Sequence, residues 1–296
     1  GITIVARPAG RPGNAAAMFS SRFGQSTGVV MFDDVFVPHD RIFLDGGEKG
    51  AWRFSQFLTR TYATHHRHSC IGARAGFGDL LIGAGILMSE ANGLDAAKVP
   101  HLRDRMVELI KIVEGFYACG VAASVYGFAD PSGAYQPDGV FANVGKLLMA
   151  TQIYDMHRIA HEVSGGLIVA LPGPDEDHNP ETAGDLAAML ETRPDVPYEK
   201  RIAVARLIED LTASDEAGWY SVISLHGGGS PEAMKREIFR YYPVEERVEL
   251  VKRLLDRGVV ADGEDSPSRD RQPGRCCPVG CQVPETPQLN FEAPEK

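Results

Sequence analysis

The sequence is short of cysteine, of basic charge and of long apolar runs. Five cysteines in 296 residues are too few and too unevenly placed for a disulfide scaffold. Cys70 and Cys119 sit in helical patterns, while Cys276, Cys277 and Cys281 crowd the last stretch, so reduced thiols are expected. Thirty basic residues against forty acidic ones give a formal net charge of -10. With no basic patch to offset it, that balance speaks against a nucleic-acid partner. The longest apolar run, Leu80 to Met88, is too short to cross a bilayer, and no charged-then-apolar leader opens the chain. A cytoplasmic protein without a membrane part is the expectation.

What is present is apolar content for a sizeable core, 44% hydrophobic with 24% charged residues, enough for one large domain or two ordinary ones. ITIVARP at the start reads as a strand, which suggests that the chain begins inside a domain. Gly28 to Pro38 reads as a second strand and Arg41 to Leu44 as a third, closed by Pro38 and an Asp45-Gly46-Gly47 turn. From about Ala51 the apolar period becomes helical and stays so for roughly two hundred residues. Helices are predicted over His101–Ala129, Val140–Val163, Pro197–Leu211 and Val244–Arg257, with starts at Asn179-Pro180-Glu181 and Ser230-Pro231-Glu232. Ala261 to Lys296, rich in Pro, Asp, Glu, Ser and Arg, reads as a flexible tail.

Four groups of residues have chemistry available to them. In YATHHRHSCIGARAGFGDLLIGAGILM, Tyr62 to Met88, the residues His65, His66, His68 and Cys70 crowd one helical segment. His66 and Cys70, four apart, share a face. Such a pair can ligate zinc or an iron–sulfur cluster, can act as acid or base, or can be structural and solvent-facing. Gly72, Gly76, Gly78, Gly83 and Gly85 leave room for a helix, a backbone or a flat cofactor. His157 and His161 repeat the four-residue spacing and are followed by Glu162, which allows a metal pair or a polar helix face. Cys276, Cys277 and Cys281 in CCPVGC bind metal or are inert in a low-complexity tail. Ser164-Gly165-Gly166 and Gly227-Gly228-Gly229-Ser230 flank helix ends, where they bind an anionic cofactor or merely cap.

Six segments, GITIVARPAG, GQSTGVVMFDDVFVPHDRIFL, HHRHSCIGARAGFGDLLIGA, HEVSGGLIVALP, NPETAGDLAAML and LHGGGSPEA, together resemble the flavin family that contains 4-hydroxyphenylacetate 3-hydroxylase and 4-hydroxybutyryl-CoA dehydratase. They run in family order from Gly1 to about Arg257, and the chain looks closer to the dehydratase branch. The resemblance implies an α+β, mostly α, acyl-CoA dehydrogenase-like fold. Residues 1–48 would be the C-terminal part of a β middle domain, 49–258 a helical bundle and 259–296 the tail. It implies a flavoprotein with FAD between β domain and bundle, near Ser164, Gly165, Gly166, Gly227, Gly228, Gly229 and Ser230, and a homotetramer.

In the dehydratase branch an iron–sulfur cluster takes a histidine that matches His66, and a cysteine whose position here holds Ala73. Cys70, where that branch has a tyrosine, is the substitute ligand, so the cluster stays an open question. Arg74 replaces a lysine, and Ile223 stands where a carboxylate base is expected. The reading that results is an FAD-dependent enzyme related to 4-hydroxybutyryl-CoA dehydratase and vinylacetyl-CoA isomerase, acting on a CoA thioester. His66 would be its reactive residue and Arg74 the electrostatic partner. The rivals are a monooxygenase of the 4-hydroxyphenylacetate 3-hydroxylase type, fed by a separate flavin reductase, and an inactive oligomerisation fragment.

Overall fold

The computed structural model describes residues 1–7, 17–44 and 51–257. The predicted turn at residues 45–47 and the tail with Cys276, Cys277 and Cys281 lie outside them. In order the elements are β1 (Ile2–Arg7), α1 (Ser20–Phe23), β2 (Thr27–Phe32), α2 (Ala51–Ala91), α3 (Pro100–Val125), β3 (Phe128–Ala129), β4 (Tyr135–Gln136), α4 (Gly139–Ser164), α5 (Ala183–Leu190), α6 (Tyr198–Thr212), α7 (Asp215–His226), α8 (Pro231–Tyr241) and α9 (Val244–Arg257). Apart from the short α1 and the two-residue strands β3 and β4 between α3 and α4, strands come first and helices after, the α+β, mostly α class read from the sequence.

β1 and β2 pair antiparallel from Ile2 opposite Phe32 to Arg7 opposite Thr27. The second strand is shorter than the sequence suggests: Asp33 N–H still donates to the Gly1 carbonyl at 2.9 Å, but the backbone bends at Asp33–Asp34, with Asp34 at φ 45°, and the chain leaves the ladder. The third strand expected at Arg41 to Leu44 is absent. A 3-10 turn over His39–Arg41 stands there, closed by Arg41 N–H to the Pro38 carbonyl and Ile42 N–H to the His39 carbonyl. Every residue of β1 and β2 is exposed.

The core is a three-helix layer of α2, α3 and α4, with α6, α7 and α8 packed on it. Ile71, Phe77, Leu81 and Met88 of α2 meet Met106, Leu109, Val113 and Phe116 of α3 and Met149, Met156 and Ile159 of α4. That is the apolar period of the sequence turned inward. Two of the five α2 glycines explain the close packing. A Cβ on Gly78 would lie 2.4 Å from a Val113 methyl, and one on Gly85 3.1 Å from the Met106 sulfur, whereas Gly72, Gly76 and Gly83 face open space. By length and composition α2 is able to span a membrane, with mean hydropathy 1.4 over its best window, although its longest apolar run is short.

The helix expected through Ala129 stops at Val125, and β3 pairs with β4. Gly127 permits this, since a Cβ there would meet the Gln136 carbonyl at 2.5 Å. Asn179 starts a turn instead of a helix, and α5 begins at Ala183. Asp138 caps α4 through Val140 N–H and Phe141 N–H, and Ser230 caps α8 through Ala233 N–H. The segment before β2 is tied to the bundle by the buried Asp210 carboxylate, which accepts from Phe19 N–H, Ser20 N–H and the Ser20 hydroxyl at 2.9, 2.8 and 2.6 Å.

Candidate active site at the junction of α2, α4 and α7

Of the three histidines crowded on α2, one faces the junction. His65 Nε2 turns to Gln136 Oε1 at 2.8 Å. His68 Nε2 turns to α3, 3.0 Å from the Ser124 hydroxyl and 3.1 Å from the Gly120 carbonyl. His66 is half-buried, with Nδ1 3.5 Å from Cys70 Sγ, as their shared helical face predicts. Above it runs the Gly227–Gly229 turn that ends α7. Gly228 has φ +75°, and a Cβ there would sit 2.8 Å from His66 Nδ1, so glycine lets the turn lie on the imidazole.

Around this pair stand cations that sequence reasoning missed, apart from Arg74. Arg67, 4% exposed, donates from Nε to the Gly228 carbonyl at 2.8 Å and from Nη1 to Asn143 Oδ1 at 2.7 Å, bracing the glycine turn against α4. Arg74 donates from Nε to the Ser224 hydroxyl at 2.6 Å and lies 3.6 Å over the Tyr220 ring. Lys146, 0% exposed, reaches from the N-terminal part of α4 to the Ser224 carbonyl. Among the described residues no carboxylate forms an ion pair with Arg67, Arg74 or Lys146. Lys146 leaves no trace in local pattern, because one lysine on a helix reads as solvated until its neighbours are known.

Burial, together with mutual repulsion, shifts these groups. Burial first, then Lys146, Arg67 and Arg74, push the His66 imidazolium below its usual range, so the ring is a neutral base near pH 7. Burial brings Lys146 down to about 8, with Cys70 opposing and the two arginines adding to the shift. Burial also raises the Tyr220 phenol. Tyr220 forms one wall of an open, mostly apolar cavity of about 550 Å³ shared with Phe19, Phe23, Leu80 and Leu207, so Arg74 sits behind one of its walls.

The predicted cofactor residues do not form one site. Gly227–Ser230 lie at His66, with Ser230 spent on capping α8. Ser164, Gly165 and Gly166 end α4. Between Asn143, which meets the first group through Arg67, and Gly165 lie about 33 Å of helix at 1.5 Å per residue. A Cβ on Gly165 or Gly166 would touch nothing. His157 and His161 also separate: His157 is buried against Phe77, while His161 Nε2 meets the Thr212 hydroxyl at 2.8 Å.

His66 and Cys70 are two donors where a zinc ion or iron–sulfur cluster takes four. Among the described residues no third His, Cys, Asp or Glu joins them, and the neighbours are cations. The described residues by themselves therefore do not fit a metal centre. Three cations and a glycine turn do suit an anionic ligand.

Fold and site together define a helical-bundle protein with a neutral histidine set among buried cations. The family model for the 4-hydroxyphenylacetate 3-hydroxylase C-terminal region (HpaB) matches residues 55–256, and the chain belongs to that family. It is 33% identical over 243 residues to 4-hydroxybutyryl-CoA dehydratase/vinylacetyl-CoA-Delta-isomerase of Clostridium aminobutyricum, covering 79% of this chain and 48% of that one. A 4-hydroxybutyryl-CoA dehydratase structure from N. maritimus superposes with TM-score 0.78 at 31% identity, over 90% of this chain and 52% of the other. The HpaB oxygenase component of 4-hydroxyphenylacetate 3-monooxygenase, complexed with FAD and 4-hydroxyphenylacetate, superposes with TM-score 0.76 at 22% identity, over 86% and 53%. The likeness carries the acyl-CoA dehydrogenase-like fold expected from the sequence. The chain spans about half the length of these relatives.

Proposed function

We propose that the chain is the helical, reaction-bearing part of an FAD-dependent enzyme that acts on an acyl-CoA-type thioester, in the manner of its dehydratase/isomerase relatives. The observation that carries this reading is the half-buried His66, its imidazolium disfavoured beside Arg74, with no carboxylate among the described residues forming an ion pair with the cations around it. A neutral imidazole takes up the weakly acidic proton next to a thioester carbonyl, and Arg74 balances the negative charge left behind. FAD, present in the solved HpaB relative, supplies an electron acceptor when bound. Gly227–Gly229, with Arg67 behind them, are the residues to hold its anionic part. Ser164–Gly166 belong to the far end of α4 and serve a separate portion or a neighbouring subunit of a homotetramer.

The test is the absorption spectrum of the purified full-length protein together with turnover of His66→Ala. Absence of flavin bands, or unchanged turnover, overturns the reading. A second reading, a monooxygenase that draws reduced flavin from a separate reductase, is favoured by the two-donor set at His66 and Cys70, since that chemistry needs no cluster. Strict dependence of turnover on oxygen and a reductase would select it.

A further inference from the structure

Lys146 is the most deeply buried cation of the junction and the function above does not use it. Its side chain is 0% exposed, its ammonium is held by the Ser224 carbonyl, and that same serine's hydroxyl accepts from Arg74 at 2.6 Å while donating to the Tyr220 carbonyl at 2.5 Å. Ser224 thus fixes two cations from two helices at one point, the end of α7. An ammonium has three N–H donors, and a single carbonyl satisfies one of them. The titratable groups that face Lys146 are Cys70, Arg74 and Arg67 from α2, with His66 beside them. None is a carboxylate. A buried cation left in this state is costly to the fold and is kept where it meets an anion that arrives with a ligand.

We propose that Lys146 and Arg74, joined through Ser224, form an oxyanion subsite that takes the negatively charged oxygen of a substrate whose proton His66 removes. The proposal rests on the reading of His66 as the base and adds the group that receives the charge. In the step, a C–H bond of the substrate breaks, its proton goes to His66 Nε2 or Nδ1, and the electron pair shifts to the carbonyl oxygen facing Lys146 and Arg74. No net redox change is involved. Gly145, next in the chain, lets α4 come near enough: a Cβ there would lie 2.6 Å from Ile71 Cδ1 and 2.8 Å from Cys119 Cβ, so α2 and α4 are seated in contact beside the subsite.

The experiment uses the full chain and acetoacetyl-CoA, a thioester whose enolate has its own ultraviolet band. Wild type is expected to bind it with a larger enolate fraction than in free solution at the same pH. In Lys146→Met the bound enolate fraction should fall about tenfold, the effect of one charge at close range in a partly solvated site. Lys146→Arg should keep most of it. Melting followed by circular dichroism separates a structural role, because Lys146→Met removes a buried unpaired charge and its midpoint is expected to rise. An unchanged enolate fraction in Lys146→Met, or a lowered midpoint with no change specific to the enolate, overturns the subsite. If wild type does not bind acetoacetyl-CoA, the thioester reading fails separately, and 4-nitrophenol, whose phenolate is coloured, carries the same comparison. A wild-type chain that ionises neither probe overturns the proposal.

Discussion

Two pairs of side chains with the same helical spacing ended in different chemistry. His66 and Cys70 on α2, and His157 and His161 on α4, are each four residues apart. At the first pair the side chains touch at 3.5 Å, a glycine turn lies over the ring, and the charges of Lys146, Arg67 and Arg74 act on it. At the second pair one ring is buried against Phe77, with Nδ1 3.5 Å from the Ser221 hydroxyl and Nε2 without a hydrogen-bond partner among the described residues. The other turns away to Thr212. Burial and the neighbouring His161 hold His157 down at about 4. Spacing decides which side chains share a face; what packs on that face decides whether they become a reactive pair or a core residue and its neighbour.

The comparison breaks first at turnover. His66→Ala should lower the rate about 10²- to 10⁴-fold, the range for a general base, while His157→Leu leaves it unchanged; equal losses in a steady-state assay would erase the distinction. The next effect is on stability against pH. The folded His157 binds its proton at about 4 against the ordinary 6.5 of an imidazole. The unfolded chain therefore holds more protons between these values, and stability falls as pH falls from 6.5 through 4, by about 3 kcal/mol. His157→Leu should flatten that window in urea titrations. Lys146 behaves alike at the other end of the scale: with its folded value at about 8 against 10.5, stability rises as pH rises from 8 to 10.5, again by about 3 kcal/mol. Lys146→Met should abolish this alkaline gain.

Smaller effects sharpen the first pair. Gly228→Ala places a Cβ at φ +75° and 2.8 Å from His66 Nδ1. It should cost about 1–2 kcal/mol of stability, seen as a lowered melting midpoint, and should reduce turnover because the imidazole is displaced. Cys70→Ser should change stability by about 0.5 kcal/mol or less and leave bound iron unchanged in the purified full-length protein. A loss of iron would show that Cys70 is a ligand in an assembly larger than the described residues.

The legible part of the site was the part written in one segment. His66, Cys70 and Arg74 fall on one stretch of α2, and their mutual positions follow from 3.6 residues per turn. Arg67 lies in the same stretch, yet its role comes from Gly228 and Asn143, 161 and 76 residues away in sequence. Tyr220 and Ser224 were equally silent, since a tyrosine and a serine on an apolar helix carry no local sign of an arginine stacked between them. The third strand failed for a related reason. Arg41 to Leu44 has strand-like residues, but a strand needs a partner edge, and among the described residues none lies beside them; a 3-10 turn over His39–Arg41 takes their place. The glycines of α2 divided in the same way, Gly78 and Gly85 facing α3 and the others facing outward.

By itself the sequence determined the β-rich start and the long helical remainder, the apolar faces that became the core, the segments that place the chain in its family, and the shared face of His66 and Cys70. These are properties of local periodicity and of short motifs, which the backbone geometry converts directly into position. Only the tertiary structure decided that Lys146 is buried with no carboxylate paired to it among the described residues, that the two glycine clusters stand at opposite ends of α4, and that His157 is a core residue. Burial and charge environment arise from helices brought together across long sequence separations. The energy of a charged group depends on what surrounds it, which no single segment contains.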